Sequence, residues 1–598
     1  MPKSSVAIIG AGPAGLYAAA KLAAADIFVA LLNRDVKPGG LAEYGIYFDK
    51  YKMKEGLRQQ FRKILSHPNI TYYGNVTVGS QADLSLKELQ EMGFQALLVT
   101  VGAQGTKWLG LPGEFLAGVY HAKDIVYHYN KLPPYSHRSF EIGRRVALIG
   151  VGNVMVDIAR WLIHIHQVEE VIALARRGPA EVKFTRKEME TVACNLDFEA
   201  LEAEFQRVAP IMQAVNQNIE QAKEYILSTL PSTCPTGSST RLMLKFLSAP
   251  SAILDDGSGR VCGLEVDETS LMLREDGSVI AKPSGHKRLE HVDTVIFCIG
   301  DRVDESLGLP VKWNEYVLNP KPHFPIDGNS YEAFDPQTNA PMKGVFIAGW
   351  ARKASEGLVG IARKDGENAA QAVLGFLNTL TPENNPQQSL SLLEKRLTSL
   401  SKPIMTYPFL LQLDQKEKQE AELRNTPFFA FESNEEMFAA VGLLKPFLAR
   451  LILPQDVEDW AKLRRKLWHN CTAEQNEREI AAIQANPNSY AVLVSPKADG
   501  GLQGFLEISI RSQAEGCKSK QIGYIEGVYV IPTARQKGVA KALIAAAEDW
   551  ARQQGCREMA TDVEVENLLS QYVHKRLGFY EVERHIHFVK PINPSSDA

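Results

Sequence analysis

Four consecutive apolar residues, Val6, Ala7, Ile8 and Ile9, open the ordered part of the chain, and a mixed stretch follows at residues 16–25. A short apolar run reads as a buried strand, and the longer mixed stretch as a helix. A second apolar run, 27–33, follows at once. The same strand-then-helix pattern returns at 146–157, with a further strand at 171–174. Residues 199–223 read as helical and polar, 271–282 and 292–299 as return strands, and 344–350 as re-entry into the first sheet. Residues 382–388 read as a loop. After about residue 450 the pattern changes: amphipathic helices at 456–468 and 474–484 precede strands at 490–495, 504–512 and 524–531. A helix running to about 553, a strand at 558–564 and a helix at 567–577 complete it.

Glycines punctuate both strand-to-helix junctions. Gly10, Gly12 and Gly15, enclosing Pro13 and Ala14, have G-x-G-x-x-G spacing. In such a unit one glycine makes the tight turn, one admits a pyrophosphate and one lets helix pack on strand. The helix N-terminus then offers N–H groups to the phosphates. The second unit reads Gly150-Val151-Gly152-Asn153-Val154. Two units about 140 residues apart predict two nucleotides in one chain. Arg176 and Arg177, just after the 171–174 strand, suit the 2′-phosphate of NADP. Asn33 stands where an acidic residue usually meets the adenosine ribose.

Composition narrows the classes. The chain has 598 residues, 45% hydrophobic and 23% charged, with net charge −4. Nothing there points to nucleic acid or a membrane, and no apolar run reaches the roughly 18 residues of a span. The first strand starts too early for a signal peptide, so the expected compartment is the cytoplasm. Seven dispersed cysteines without a C-x-x-C pair argue against a disulfide framework, an iron–sulfur cluster or a metal site.

Residues 38–46, Pro-Gly-Gly-Leu-Ala-Glu-Tyr-Gly-Ile, resemble the adrenodoxin reductase and ferredoxin–NADP reductase flavoproteins, as do Tyr73-Gly74-Asn75-Val76, Thr100-Val101-Gly102-Ala103 and Leu111-Pro112-Gly113-Glu114. The resemblance extends over most of residues 4–442. It implies a glutathione-reductase-type α/β architecture: an FAD domain at 1–106 and 330–380, an NADP domain at 107–329 and an extension with linker at 381–445. It places Gly40, Leu41, Val76, Gly102, Trp350, Gly357, Leu358 and Val359 near the flavin, and Asn153, Val154, Arg176, Arg177 and Glu188 near NADP. Where the family carries His after the Tyr-Gly segment, this chain has Lys50.

Strand 524–531 is followed by Arg535-Gln536-Lys537-Gly538-Val539-Ala540 and a helix. An R-x-x-G-x-A turn in that setting offers backbone N–H groups to a pyrophosphate. Residues 446–598 resemble GNAT acetyltransferases, an α+β fold, and within them the aminoglycoside 6′-N-acetyltransferases. That resemblance implies acetyl-CoA held by Val530, Arg535–Ala540 and Asn567. Glu526 and Asp562 would receive a cationic amine, one of them accepting its proton. His574 replaces the tyrosine that often protonates the departing thiolate, either taking that role or leaving it to water as an exposed structural residue.

The reading is thus a bifunctional enzyme: an NADPH-dependent FAD oxidoreductase serving a ferredoxin-like acceptor, joined to an N-acetyltransferase for a small amine. The alternative is a nucleotide-binding flavoprotein module without turnover, attached to an acetyltransferase for another amine or a protein.

Overall fold

The computed structural model describes residues 4–231, 237–353, 359–380, 387–400, 402–444, 449–497, 500–535 and 537–584. It divides into two compact units, Met1–Val441 and Gly442–Ala598.

The first unit contains two parallel sheets. One is ordered Glu332–Asp335, Ala340–Ile347, Ala96–Val99, Ser4–Ile9, Ile27–Asn33 and Ile70–Gly74, with only the Glu332–Asp335 edge strand antiparallel. The other is ordered Val119–His121, Thr294–Phe297, Arg145–Ile149, Glu170–Leu174 and Arg241–Lys245, all parallel. Strands buried on both faces read as near-continuous apolar runs. Ser4–Ile9 and Glu170–Leu174 are buried at every position; their apolar runs Val6–Ile9 and 171–174 identified them, while the buried Glu170 at one start is paired with Arg145 and Arg241. Two short antiparallel strands, Gly105–Thr106 and Asp301–Arg302, are the crossing between the two sheets.

Residues 199–223 are helical, in two pieces, Phe198–Gln213 and Ile219–Leu227, and two other expectations are corrected. The chain breaks at Asn216, with φ +58°, and Asn218 caps the second helix through Gln221 N–H at 3.1 Å. Residues 271–282 are not one strand: Val261–Leu273 and Val279–Glu290 form a hairpin, turning at Gly277 (φ +78°). With Ser248–Asp255 the hairpin makes a three-stranded sheet. Residues 303–329 were expected in the inserted domain, yet Val303, Leu307, Leu309 and Tyr316 pack into the core of the first sheet. The insertion therefore closes at the Asp301–Arg302 crossing.

Helices of the extension brace the first sheet. Gly74 and Met405 exchange backbone hydrogen bonds, and the Ser389 hydroxyl donates to that of Ser5 at 2.7 Å. Cys194 is disulfide-bonded, which dispersed spacing gave no means of reading.

The second unit is a five-stranded sheet ordered Arg450–Leu451, Tyr490–Pro496, Leu502–Arg511, Ile522–Val530 and Glu558–Thr561, with only the last pair parallel. Helix Val539–Gln553 covers one face through Val539, Leu543 and Ala547. Val457–Leu467 and Ala473–Ala485 cover the other, around the fully buried Trp460. Among the described residues no helix is long and apolar enough to cross a membrane.

Candidate functional site

The two glycine turns of the first unit share one geometry. Gly10 has φ +107°, and a Cβ there would lie 2.6 Å from the Thr100 carbonyl oxygen. Gly150 has φ +116°, and its Cβ would lie 2.5 Å from the Cys298 carbonyl oxygen. Each first glycine is thus fixed by the neighbouring strand and by a left-handed backbone. At Gly12 and Gly152 a Cβ would meet nothing within 4 Å, because each faces open space. They precede helices Pro13–Ala24 and Asn153–Trp161, neither with an acid in its first turn. Gly15 would place a Cβ 2.0 Å from the Gly10 carbonyl oxygen, so it serves helix–strand packing.

Both turns open onto a single cleft of about 1970 Å³. That exceeds the roughly 300–1,000 Å³ of a drug-sized site and suits two extended ligands. Every described position expected to contact FAD or NADP lines it, except Gly15 and Glu188. Gly40 (φ +49°) lies against the first turn, its would-be Cβ 3.2 Å from Gly12 Cα. Val76 and Gly102 line the same wall. Gly357 and Leu358 lie outside the described residues, while Val359 starts helix Val359–Leu377 at the cleft. Trp350 lines the cleft in a short turn whose first N–H, from Gly349, donates to the Asp365 carboxylate at 2.7 Å. Asp365, which the sequence reading missed, also holds Arg352.

Asn33, placed by the sequence at the ribose position, lines the cleft and also holds the backbone around it. Its Oδ1 accepts from Ala11 N–H at 3.0 Å, and its Nδ2 donates to the Asp35 and Lys37 carbonyls at 2.9 and 3.0 Å. The side chain is buried and clamps the first turn to the loop after the second strand. Beneath that loop sits a buried charge network. Lys37 donates to Glu417 at 2.7 Å, and Arg58 forks onto Glu43 at 2.7 and 2.5 Å. Burial works against the Glu43 charge, but Arg58 and Lys37 hold its carboxyl at about 2. Burial pulls the Lys54 ammonium down to about 8.

Arg176 and Arg177 are exposed at the cleft. Arg177 is shared with Glu181, four residues on, at 2.7 Å. Asn153 Oδ1 accepts from Thr185 N–H at 2.8 Å, and Lys183 N–H donates to the Val151 carbonyl at 3.1 Å. These bonds tie the second turn to the loop after the arginines.

Glu188 lies outside the cleft lining and pairs with Lys50 at 2.6 Å. Asp157, a cleft residue from the helix of the second turn, shares their field. Burial, and then the Glu188 carboxylate, push the Asp157 carboxyl up to about 7 against the pull of Lys50 and Arg160. At the sheet crossing, burial and then Lys123 lower His121 to about 4, while burial raises Asp301 to about 6. Neither Asp157 nor this cluster belongs to the glycine pattern, and no local spacing marks their burial.

In the second unit, Gly538 has φ +93° and caps the 15-residue helix Val539–Gln553, whose first turn holds no acid. Arg535 and Lys537 are exposed beside it, and Ala540 is half-buried. Arg535 Nε donates to the Val530 carbonyl at 3.1 Å, which fixes the entry of the turn. Gln536 lies outside the described residues. Asn567 caps helix Leu568–Arg576, its Oδ1 accepting from Ser570 N–H at 3.1 Å.

Glu526 is the extra residue of a bulge, since Glu507 pairs with Gly527 but Ile508 with Ile525. Its carboxylate receives Arg511 at 3.2 and 2.7 Å and the Ser509 hydroxyl. Asp562 is exposed and accepts from the Tyr524 hydroxyl at 2.7 Å. His574 is buried rather than exposed. Its Nδ1 lies 2.8 Å from the Ser570 carbonyl, which can only accept, so Nδ1 carries the proton. Nε2 is buried with no partner among the described residues.

Comparison with known proteins matches these geometries to two families. The Acetyltransferase (GNAT) family profile matches residues 456–579, and the Pyridine nucleotide-disulphide oxidoreductase profile residues 4–195. The aminoglycoside N(6′)-acetyltransferase type 1 of Klebsiella aerogenes is 40% identical over 147 residues, 24% of this chain and 97% of the relative. The chain belongs to the GNAT acetyltransferases. Its first unit is an FprA- and adrenodoxin-reductase-like pyridine nucleotide oxidoreductase. There the NADPH-ferredoxin reductase FprA of Mycobacterium leprae is 29% identical over 409 residues, 62% of this chain and 83% of the relative. The structure of Mycobacterium tuberculosis FprA in complex with NADPH shares the fold, with a TM-score of 0.61 at 24% identity over 74% of this chain and 100% of that one. The GNAT match spans the bulged strand and the glycine-capped helix that follows it. The oxidoreductase unit accounts for the paired glycine turns.

Proposed function

We propose that the chain is a bifunctional enzyme in which an FAD- and NADPH-dependent reductase of ferredoxin-type proteins is joined to an acetyl-CoA-dependent N-acetyltransferase for aminoglycosides. The observation that carries the first half is the pair of glycine turns, Gly10–Gly12 and Gly150–Gly152, opening onto one cleft. The open space at Gly12 and Gly152 fits two pyrophosphates, each met by the N–H groups of a helix start. Bound there, the nicotinamide and flavin supply the two-electron chemistry. The protein's share is placement. Arg176 and Arg177 grip a 2′-phosphate with charge-assisted bonds. Gly40, Val76 and Gly102 let backbone approach the flavin ring, and the turn bearing Trp350 is held by Asp365. Lys50, Glu188 and Asp157 set the charge near the second turn.

In the second unit, the turn ending at Gly538 receives the CoA pyrophosphate, with Arg535 and Lys537 beside it. An acceptor amine attacks the thioester carbonyl, the C–S bond breaks and CoA leaves as the thiol. Only the neutral amine attacks, so a carboxylate, Glu526 or Asp562, takes its proton directly or through water. The 40% identity to an aminoglycoside acetyltransferase and the two carboxylates support a polycationic acceptor. The test is parallel assay of the full chain: NADPH-driven reduction of a ferredoxin, and acetyl-CoA consumption with a kanamycin-type amine. Absence of both activities in folded, flavin-loaded protein refutes the reading.

A further inference from the structure

The carboxylates at the acceptor end of the GNAT unit already hold cations and donors of the chain itself. Arg511, last residue of Leu502–Arg511, donates through Nε to Glu526 Oε1 at 3.2 Å and through Nη2 to Oε2 at 2.7 Å. Its guanidinium lies 3.4 Å from the Tyr524 ring centroid, a cation–π contact. The Tyr524 hydroxyl donates to Asp562. Burial, and then the bond to Asp562, raise the Tyr524 phenol, so it stays a donor at neutral pH. Arg511 thus occupies one carboxylate and, through Tyr524, is joined to the other.

The side chains of Arg511 and Glu526 remain 42% and 27% exposed. An ion pair so exposed is weak, worth no more than about a fivefold bias in an equilibrium. We propose that Arg511 is a resident counter-ion that an acceptor's ammonium group displaces from Glu526, so that net affinity depends on a further ammonium reaching Asp562. This rests on the reading of the second unit as an amine acetyltransferase. Exchanging one cation for another at Glu526 changes the local charge little, so a monoamine gains little there. A polyamine adds a direct ammonium contact at Asp562, which Arg511 reaches only through its field and through Tyr524. The displaced guanidinium keeps its place over Tyr524 while its fork turns to solvent. A purely orienting Arg511 requires the opposite outcome, because freeing Glu526 would then weaken binding.

The experiment compares the unmodified full chain with Arg511→Gln and Arg511→Lys, using 6-amino-6-deoxyglucose and kanamycin as probes. KM comes from acetyl-CoA consumption, and Kd from calorimetry with CoA present. Arg511→Gln is expected to lower KM and Kd for both amines about three- to fivefold. It should also steepen their salt dependence, since a cation now meets a bare carboxylate instead of exchanging with one. Arg511→Lys should stay near the unmodified values. A rise or no change for Arg511→Gln, or an unaltered salt dependence, overturns the proposal. If no amine is acetylated yet calorimetry shows the tightening, the acetyltransferase reading fails and the displacement stands. If acetylation occurs without the tightening, the reverse holds. If neither amine binds any form, both fail.

Discussion

Lys50 Nζ lies 2.6 Å from Glu188 Oε2, joining the segment after the flavin-side loop to a short helix of the nucleotide-side sheet. Within the pair, Lys50 stands where family relatives are expected to carry a histidine. Asp157 lies in the field of both. Lys50→Met removes one of the cations that restrain the Asp157 pKa. We expect Asp157 to titrate higher still in that variant, seen as an alkaline shift in the pH profile of NADPH oxidation. An unchanged profile shows that the pair does not influence the site.

Asp157 also links stability to pH. Its carboxyl stands at about 7 in the fold against 3.8 in the open chain. Between those values the folded chain binds a proton that the unfolded chain has released, so stability falls as pH rises through the window. In Asp157→Asn the decline in Tm between about pH 4 and 7 should be shallower. Differential scanning calorimetry across that range checks it, and parallel curves for the two proteins would contradict it.

The two arginines are not equivalent. Arg177 is shared with Glu181, so Arg176 should bear more of the 2′-phosphate contact. Loss of one charge-assisted bond, about 1.5–3 kcal/mol, corresponds to about a 10- to 100-fold rise in NADPH KM for Arg176→Ala. NADH kinetics should barely move. An equal effect on both coenzymes would remove the arginine from the 2′-phosphate site.

The glycines separate folding from binding. At Gly10 a Cβ would strike the Thr100 carbonyl at 2.6 Å in a left-handed backbone, so Gly10→Ala should lower Tm by several degrees. At Gly12 the same methyl meets open space. Gly12→Val should therefore keep the fold by circular dichroism but lose retained flavin. If both variants lose flavin and stability equally, Gly12 is not the open wall of a ligand site.

The sequence made the glycine turns legible because their backbone geometry admits no other residue at Gly10 and Gly150. The fully buried strands were legible for a similar reason, since burial on both faces favours apolar runs such as 6–9 and 171–174. What escaped was set by partners distant in the chain. Asn33 lines the cleft at the expected position, but its bonds to the Asp35 and Lys37 carbonyls follow from the fold of the loop and not from spacing. The hairpin, by contrast, was legible in the polar run Arg274-Glu275-Asp276-Gly277-Ser278, whose Asp-Gly pair favours a tight turn between the two apolar ends. His574 stood at the expected place, but its tautomer depends on a carbonyl four residues back. The engagement of Glu526 by Arg511 arises from pairing between neighbouring strands, which residue spacing does not report.

The central claim is that one chain holds a flavin and an NADPH site on a shared cleft. The most direct measurement is the visible absorption of the purified full chain, followed by anaerobic stopped-flow mixing with NADPH and with NADH. The account requires a yellow protein with one FAD per chain, whose flavin absorbance bleaches faster and at lower concentration with NADPH. A correctly folded, colourless protein that cannot be reconstituted with FAD would contradict it, as would a flavin that NADPH leaves oxidised.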